Sequence, residues 1–565
     1  MSSMPETATS IPAETARVAR AAFRKGNLCV TLRDQLGDLF TDQTFAALFV
    51  AATGRPAESA GCLAWVSVLQ FVEDLPDRQA AEAVRSRIDW KYLLGLRLDD
   101  AGFDFTLLAD FRRRVLAAGL EQTFLDAVLR RAQALGLLKA RGRQRTDSTR
   151  ILAAIRTLNR LECIGETLRA TLNALSQAAP DWVRAHVPIE WGLRYGRRFE
   201  QYHLPKAARE RQALAETIGR DGYTLLAACY TPATPKIVRT HPAVEVLRRV
   251  WLQNFYVETG GDRSGGLTAC PVALTQVTWR EAGNLPPAAY LIQSPYDVEA
   301  HFSQKRDAGW VGYKGHVTET CDPDRPYLLT HVATTPATQP DTVALAKIQA
   351  ELAAKALLPR EHLVDTGYTT PTGFVTSRTD HQVELVGPVE PDSSWQARQA
   401  QGFELARFVI DWDQQTVTCP QGRRSVHWRA RPKAKARPKV DIAFAAADCH
   451  ACPTRAVCTR GKGPRHLKLL PHIEHLTLQA ARQRQTTQDF KEQYAARAGI
   501  ESTLSQAVRR CGYRATRYLG LAKTHLQHVL TAAAINLIRL ADWFETPSHT
   551  HRAPAAFTAL MAPAS

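Results

Sequence analysis

Between residues 310 and 389 the hydrophobic pattern switches between a strand-like and a helix-like period, and this limits the available folds more than any other feature of the chain. WVGYKGHVTET is rich in β-branched and aromatic residues and reads as a strand. A turn at Asp322-Pro323-Asp324-Arg325-Pro326 separates it from a second strand, YLLTHVATT. Asp341 then caps a helix, TVALAKIQAELAAKALL. HLVDTGY is a third strand ending in a Gly turn, and VELVGPV at 383–389 is a fourth. Strand, strand, helix, strand is half of a layered α/β core.

With 565 residues and 45% hydrophobic composition the chain can fill several cores, and three or four domains are expected around that segment. Ala, Thr, Ser and Pro dominate residues 1–27, which should be flexible. Residues 28–138 read as helical. SAGCLAWVSVLQFVEDL is a buried-type helix, Asp77 caps a second (RQAAEAVRSRI), and a third after Phe105 carries Phe111-Arg112-Arg113-Arg114 on exposed positions. Helix, tight turn and helix with exposed arginines fits a DNA-reading domain, and equally an ordinary bundle with a solvated arginine face. Residues 139–150 supply a strand, 151–300 a helical insertion, 301–400 the α/β core, and 401–475 a β-rich insertion holding cysteines. Residues 476–545 close the fold with two helices, roughly 476–511 and 516–545, ahead of a flexible tail at 546–565. The expected class is α+β and multidomain.

Lys and Arg total 72 against 55 Asp and Glu, a net charge of +17, which favours a polyanionic partner. No apolar run reaches the ~18 residues of a membrane span. The first twenty residues carry Glu6 and Glu14 and no apolar signal region. The eleven cysteines are mostly scattered, as in a reduced compartment. A cytoplasmic protein with no membrane partner is expected.

Three carboxylates stand out. Asp147 is the single acid among seven basic residues in KARGRQRTDSTRILAAIRTLNR. Asp365 ends the apolar run of the third strand, where α/β sheets place active groups. Glu501 shares a helix face with Tyr494 and Arg497 at i, i+3 and i+7. Taken singly, each has a plain structural reading: an Asx turn, a strand-end turn, and one Arg–Glu pair on a solvated face. Taken together, they suit phosphodiester chemistry, which needs charge neutralisation at phosphorus by divalent ions held on oxygen ligands.

These segments resemble the DDE transposases of bacterial insertion sequences, with an InsH-like N-terminal helical domain and an RNase H-like catalytic core. VLQFVEDLPDRQAAEAVRSRIDWKYLLGL and FDFTLLADFRRR are similar to the N-terminal domain, TDSTRI to the first Asp segment and HLVDTGY to the second. YAARAGIESTL with RRCGYRATRYLGLAKTHLQHVLTAAAINLIRL is similar to the Glu helix and its successor. The resemblance implies that Asp147, Asp365 and Glu501 bind two Mg²⁺ or Mn²⁺ ions, and that Tyr494 and Arg497 belong to a Tyr-x-x-Arg-x-x-x-Glu signature that holds DNA. A Lys often follows seven residues after that Glu; here Val508 stands there, with Arg509 and Arg510 next to it. Lys314 in GYKGH either touches phosphate or is one exposed Lys on a structural strand. The implied partners are terminal inverted repeats and target DNA, bound by a homodimer at the bacterial nucleoid. The alternatives are an RNase H-like nuclease that only hydrolyses, and a non-catalytic DNA-binding derivative.

Cys449, Cys452 and Cys458, with Cys419 thirty residues upstream, could make a structural four-thiolate Zn²⁺ site, with His427 and His450 as substitutes; plain reduced cysteines fit as well. Residues 421–440 carry eight basic residues and no acid, so Lys433 and Lys435 either track a DNA backbone or belong to a solvated loop.

Overall fold

The computed structural model describes residues 10–48, 58–257, 277–305, 307–431 and 439–545. The alternating segment forms a mixed sheet around β1 (Arg143–Leu152). The other strands are β2 (His301–Lys305), β3 (Ala308–Thr320), β4 (Leu329–Pro336), β5 (Glu361–Val364) and β6 (Glu384–Val386). Their order is β4–β3–β1–β5–β6, with β2 pairing the first part of β3 along the same edge as β4. β3 is antiparallel to β1, β2 and β4, whereas β5 is parallel to β1 and β6 to β5. The four strands read between 310 and 389 are all present. The strand expected at 139–150 starts later and runs to Leu152.

Register places the acids. Arg145 lies opposite Leu363 and Thr146 opposite Val364, so the next residues on these two neighbouring strands are Asp147 and Asp365. Side chains alternate along a strand, so Asp147 shares a face with Arg143 and Arg145, while Thr146 and Ser148 face the other way.

Helices cover both faces. α1 (Asp341–Ala354) brings Leu345, Ile348 and Leu352 against Val364, Tyr368 and Leu385, with α2 (Pro371–His381) beside it. The opposite face receives α3 (Gly499–Cys511) and α4 (Leu521–Glu545). α4 is buried on nearly every side because it lies between the sheet and the N-terminal helices. Leu526, Val529 and Ile535 share one core with Trp65, Leu69 and Phe124 on one side and Ile151, Val317 and Val332 on the other. Asn536, fully buried in α4, accepts the Leu329 N–H at 2.7 Å and donates to its C=O at 2.8 Å. Among the described residues no helix is long and apolar enough to cross a membrane.

The two insertions have cores of their own. The helices between Arg160 and Asn254 pack around Leu161, Ile164, Trp182, Ile218 and Trp251. The segment between 401 and 475 packs around Phe408, Val417, Ile442 and Leu467. In it the expected hairpin pairs Val409–Asp411 with Thr416–Thr418, and Ser425–Arg431, Lys439–Phe444 and His466–Leu469 form a second small sheet.

Four local expectations are corrected. Within the segment expected to be flexible, Ala13–Ala22 is a helix, and the Thr15 hydroxyl donates to Leu96 O at 2.8 Å. Asp77 is the first residue of the helix Asp77–Ser86 rather than its cap, and its carboxylate takes Arg112 at 2.6 Å. Arg112 is thereby buried instead of exposed. The single closing helix expected at 476–511 is broken into His472–Arg484, Gln488–Ala495, a 3₁₀ turn Ala496–Ala498 and α3. The break follows a capping residue: the Thr487 hydroxyl accepts the Phe490 N–H at 3.2 Å.

Candidate active site

Asp147 is carried by the central strand, Asp365 by the first residue after β5, and Glu501 by the first turn of α3. All three face Arg497 in the 3₁₀ turn just ahead of α3. Arg497 Nη2 lies 2.7 Å from Asp147 Oδ2 and 4.0 Å from Asp365 Oδ2, and Nη1 lies 2.9 Å from Glu501 Oε1. Two of the carboxylates are also held by backbone: Asp147 Oδ1 accepts the Ser148 N–H at 2.7 Å and Asp365 Oδ1 the Gly367 N–H at 2.9 Å. Glu501 is 68% exposed, while Asp147 and Arg497 are 11% and 14% exposed, so Glu501 is the most open of the three acids to solvent.

Burial pushes the Asp147 carboxyl above the usual carboxylate range; Arg497 opposes this and Asp365 adds to it. Burial alone would lower the Arg497 guanidinium, but Asp147, Tyr494, Asp365 and Glu501 together hold it above its ordinary value. Tyr494 stacks on Phe490 at 5.5 Å and packs against Leu363 and Val386.

β1 positions the turn that carries Arg497. Arg143 Nη2 donates to Gln493 O at 3.1 Å, and Arg145 donates to Ala496 O. These arginines of the basic stretch are structural ties. A Cβ on Gly499 would lie 2.1 Å from Arg145 Nη1, so only glycine admits this approach. Glu319, fully buried, joins the elements: its carboxylate takes Arg145 Nε at 2.7 Å, the Thr503 hydroxyl at 2.7 Å and Arg539 at 2.8 Å.

A fourth acid belongs to the site. Asp341 was read as a helix cap, but Pro340 holds that position. The Asp341 carboxylate instead accepts the Ser148 hydroxyl at 2.9 Å and Lys314 Nζ at 2.8 Å. Lys314 also donates to Gln339 O at 2.7 Å, so it is a paired lysine on the groove wall rather than a free one. On the same side Tyr368 and His316 are buried with the Tyr368 hydroxyl 2.6 Å from His316 Nδ1. Burial pushes that histidine down to about 4.

A groove of about 800 Å³ opens at Asp147, Asp341 and Glu501. Its basic wall includes Arg150, Lys305, Arg509 and Arg514, and Arg514 Nε is fixed by Thr149 Oγ1 at 2.9 Å. Val508 and Arg509 both line it, so a basic side chain stands one position past the place where the resemblance puts a Lys. Arg510 is exposed at the end of α3. Lys433 and Lys435 lie outside the described residues.

Cys419, Cys449, Cys452 and Cys458 are unpaired and line one cavity of about 190 Å³. Burial raises the Cys458 thiol, Arg465 opposes this, and the other three thiols add to it. Cys449 Sγ accepts the Arg465 N–H at 3.5 Å. His450 Nε2 donates to Lys462 O at 3.1 Å, and His427 sits on an exposed strand position, so neither joins the thiols. Among the described residues no three His, Cys, Asp or Glu side chains are gathered closely enough to hold a metal ion. The four thiols line one cavity but do not stand at metal-ligand spacing. The same holds at the carboxylates, which are spread around a guanidinium.

The groove thus has Asp147, Asp341 and Glu501 on a wall shared with basic side chains, and Asp365 joins Asp147 and Glu501 through Arg497. Two family matches bear on this. The family described as transposase DDE domain matches residues 418–541, and the transposase domain (DUF772) matches residues 17–114. Together they indicate an insertion-sequence DDE transposase. Glu501, Tyr494 and Arg497 fall inside the first match, whereas Asp147 and Asp365 lie between the two. No curated protein and no solved structure matches the chain.

Proposed function

We propose that the chain cuts DNA at the ends of its element and joins the freed 3′ ends to target DNA, with Asp147, Asp365 and Glu501 as the catalytic carboxylates. The observation that carries this is their convergence on a single cation, although each comes from a different element and 354 positions separate the first from the last. The donors are all carboxylate oxygens, the ligand type that Mg²⁺ and Mn²⁺ prefer, and the guanidinium among them marks where positive charge is stabilised. Bound there, two such ions would neutralise charge at phosphorus and activate the attacking oxygen.

The chain's own residues supply the rest. Arg150, Lys305, Arg509 and Arg514 on the groove wall hold the phosphate backbone. Asp341 keeps Lys314 extended along the same wall. The strand order β4–β3–β1–β5–β6, three antiparallel strands followed by two parallel ones, supports an RNase H-like core. The helices of residues 28–138 recognise the terminal repeats, and two copies of the chain bring two ends together.

The test is Mn²⁺-dependent cutting and strand transfer on element-end DNA by wild type, Asp147→Asn, Asp365→Asn and Glu501→Gln. Loss of both products in every variant is expected. Wild-type rates in all three would refute the carboxylate assignment, and cutting by wild type without joined product would reduce the activity to hydrolysis.

A further inference from the structure

We infer that Arg497 is a displaceable internal counter-ion of the carboxylate site: its guanidinium holds Asp147, Asp365 and Glu501 in place and gives up that position when divalent metal enters. This rests on the metal-site reading above and adds a role for a residue of the signature beyond holding DNA.

Arg497 spreads two nitrogens over three acids, with Nη2 between Asp147 and Asp365 and Nη1 on Glu501. It therefore forms no two-pronged pair with any one carboxylate, the arrangement that makes arginine–carboxylate contacts strong. Its Nε is buried and has no hydrogen-bond partner. A resident structural arginine in the same molecule looks different. Arg145, two residues before Asp147, directs Nε and Nη2 to one oxygen of Glu319 and Nη1 to a backbone carbonyl. Arg145 engages all three of its nitrogens, whereas Arg497 donates one hydrogen bond to each of two different acids and leaves its third nitrogen unpaired.

The three acids need such an ion. Like charges at close range disfavour one another, and each would take up a proton or turn away if no cation stood between them. A guanidinium keeps its charge at every working pH, so it can fill the site without itself titrating. It is also too broad to let the oxygens approach a common point, which is why no three acids are gathered at metal distance. Metal ions and Arg497 compete for the same oxygens. The displaced guanidinium stays on a short turn beside the basic groove, where a phosphate of bound DNA can pair with it. Metal loading and DNA grip are coupled through one side chain in this way.

The experiment is calorimetric titration of Mn²⁺ into the full-length chain without DNA, with thermal melting in EDTA and in Mn²⁺, for wild type, Arg497→Gln and Arg497→Lys. Arg497→Gln removes the competitor and should bind Mn²⁺ at least about tenfold more tightly, since breaking one charged hydrogen bond is worth roughly that factor. In EDTA it should melt lower than wild type, and Mn²⁺ should raise its melting temperature by more than it raises that of wild type. Arg497→Lys keeps the charge but reaches one carboxylate instead of three, so its affinity should lie between the two. If Arg497→Gln does not fold, Arg497→Lys decides. Mn²⁺ affinity equal to or weaker than wild type in the folded variants overturns the inference. Adding Asp147→Asn to each protein separates the two readings: if Mn²⁺ affinity does not fall, the carboxylate assignment has failed; if it falls in wild type and Arg497 variants alike while Arg497 itself has no effect, only the counter-ion role has failed.

Discussion

The charge cluster at Glu319 should decide how firmly the Glu501 helix is held. Glu319 is 0% exposed and accepts from Arg145 on β1, Thr503 on α3 and Arg539 on α4. Glu319→Gln removes the one negative charge between two arginines, of which Arg145 is 5% and Arg539 16% exposed. Breaking a buried pair from one side costs about 3–5 kcal/mol, because the partner charge is left uncompensated. Thr503→Val removes the hydroxyl's hydrogen bond to the carboxylate and the one it accepts from Arg539 Nη2 at 2.6 Å, but leaves both arginines ion-paired with Glu319, so about 1.5–3 kcal/mol is expected. If the three contacts act as one network, Thr503→Val should cost less in the Glu319→Gln background, by a coupling of about 0.5–3 kcal/mol. The assay is hydrogen exchange read by mass spectrometry on peptides from β1 and α3, where local opening shows directly. Protection should fall in both peptides for Glu319→Gln and mainly in α3 for Thr503→Val, and metal-dependent cutting should fall with α3 protection. Unchanged protection of α3 in Glu319→Gln would refute the claim that this cluster fixes the helix.

Other consequences can be read from the buried polar groups and the basic insertion. Asn536→Leu leaves the Leu329 N–H and C=O without partners, which at about 1–3 kcal/mol for each buried group should lower the melting temperature measurably; an unchanged melt would mean water replaces the amide. Burial pushes four histidines well below their ordinary value of 6.5: His316 and His525 to about 4, and His362 and His528 to about 3. Because the folded values lie below the unfolded one, their contribution is full above pH 6.5 and is lost as pH falls toward 4, by up to about 1.4 kcal/mol per pH unit for each histidine. Urea midpoints between pH 7 and 5 should show this slope, and His528→Gln should flatten it; a pH-independent midpoint would contradict the burial. Lys433→Ala with Lys435→Ala should reduce the salt slope of DNA binding by up to about 0.9 per lost phosphate contact, and an unchanged slope would remove these two lysines from the DNA interface.

What the sequence made legible follows the range of the interaction involved. The strands around Lys314, Val332 and Val364 could be read because their β-branched pattern is local. Asp147 and Asp365 could be picked out singly, but their adjacency depends on β1 and β5 pairing in parallel across about two hundred residues. Asp341 looked like a cap because an acid before a helix usually is one; its partners, Lys314 and Ser148, lie on other strands and leave no local trace. The basic stretch around Asp147 suggested DNA contact, yet Arg143 and Arg145 spend their donors on Glu361, Glu319 and two carbonyls. Arg112 was misread for the same reason: position within a helix gives no sign of Asp77 waiting across a turn. Thr487 was a missed local signal, since a Thr three residues before Phe490 is a cap pattern that the length of the helical run obscured.

The placement of the two insertions explains how acids so far apart in sequence stay together. The helical insertion leaves β1 at Leu152 and returns at His301. Leu152 and His301 both lie opposite Gly312 of β3, one on each edge. Its two attachment points are therefore two strand spacings apart, about 10 Å. Gly312 sits at φ +153, and a Cβ there would be 2.1 Å from Ile151 O, so the close packing at this junction requires a glycine. The second insertion is pinned in the same manner: Val389 N–H donates to Gln485 Oε1 at 2.9 Å and Arg482 to Glu390 O at 3.2 Å, closing the chain before and after it. Each insertion fills its own core. The spacing of the three carboxylates is then set by β1, β5 and α3, and by the Glu319 cluster that ties the last of these to the first. Sequence separation between Asp147, Asp365 and Glu501 can grow without changing the gap between their oxygens, because the added chain hangs from neighbouring points instead of passing through the site.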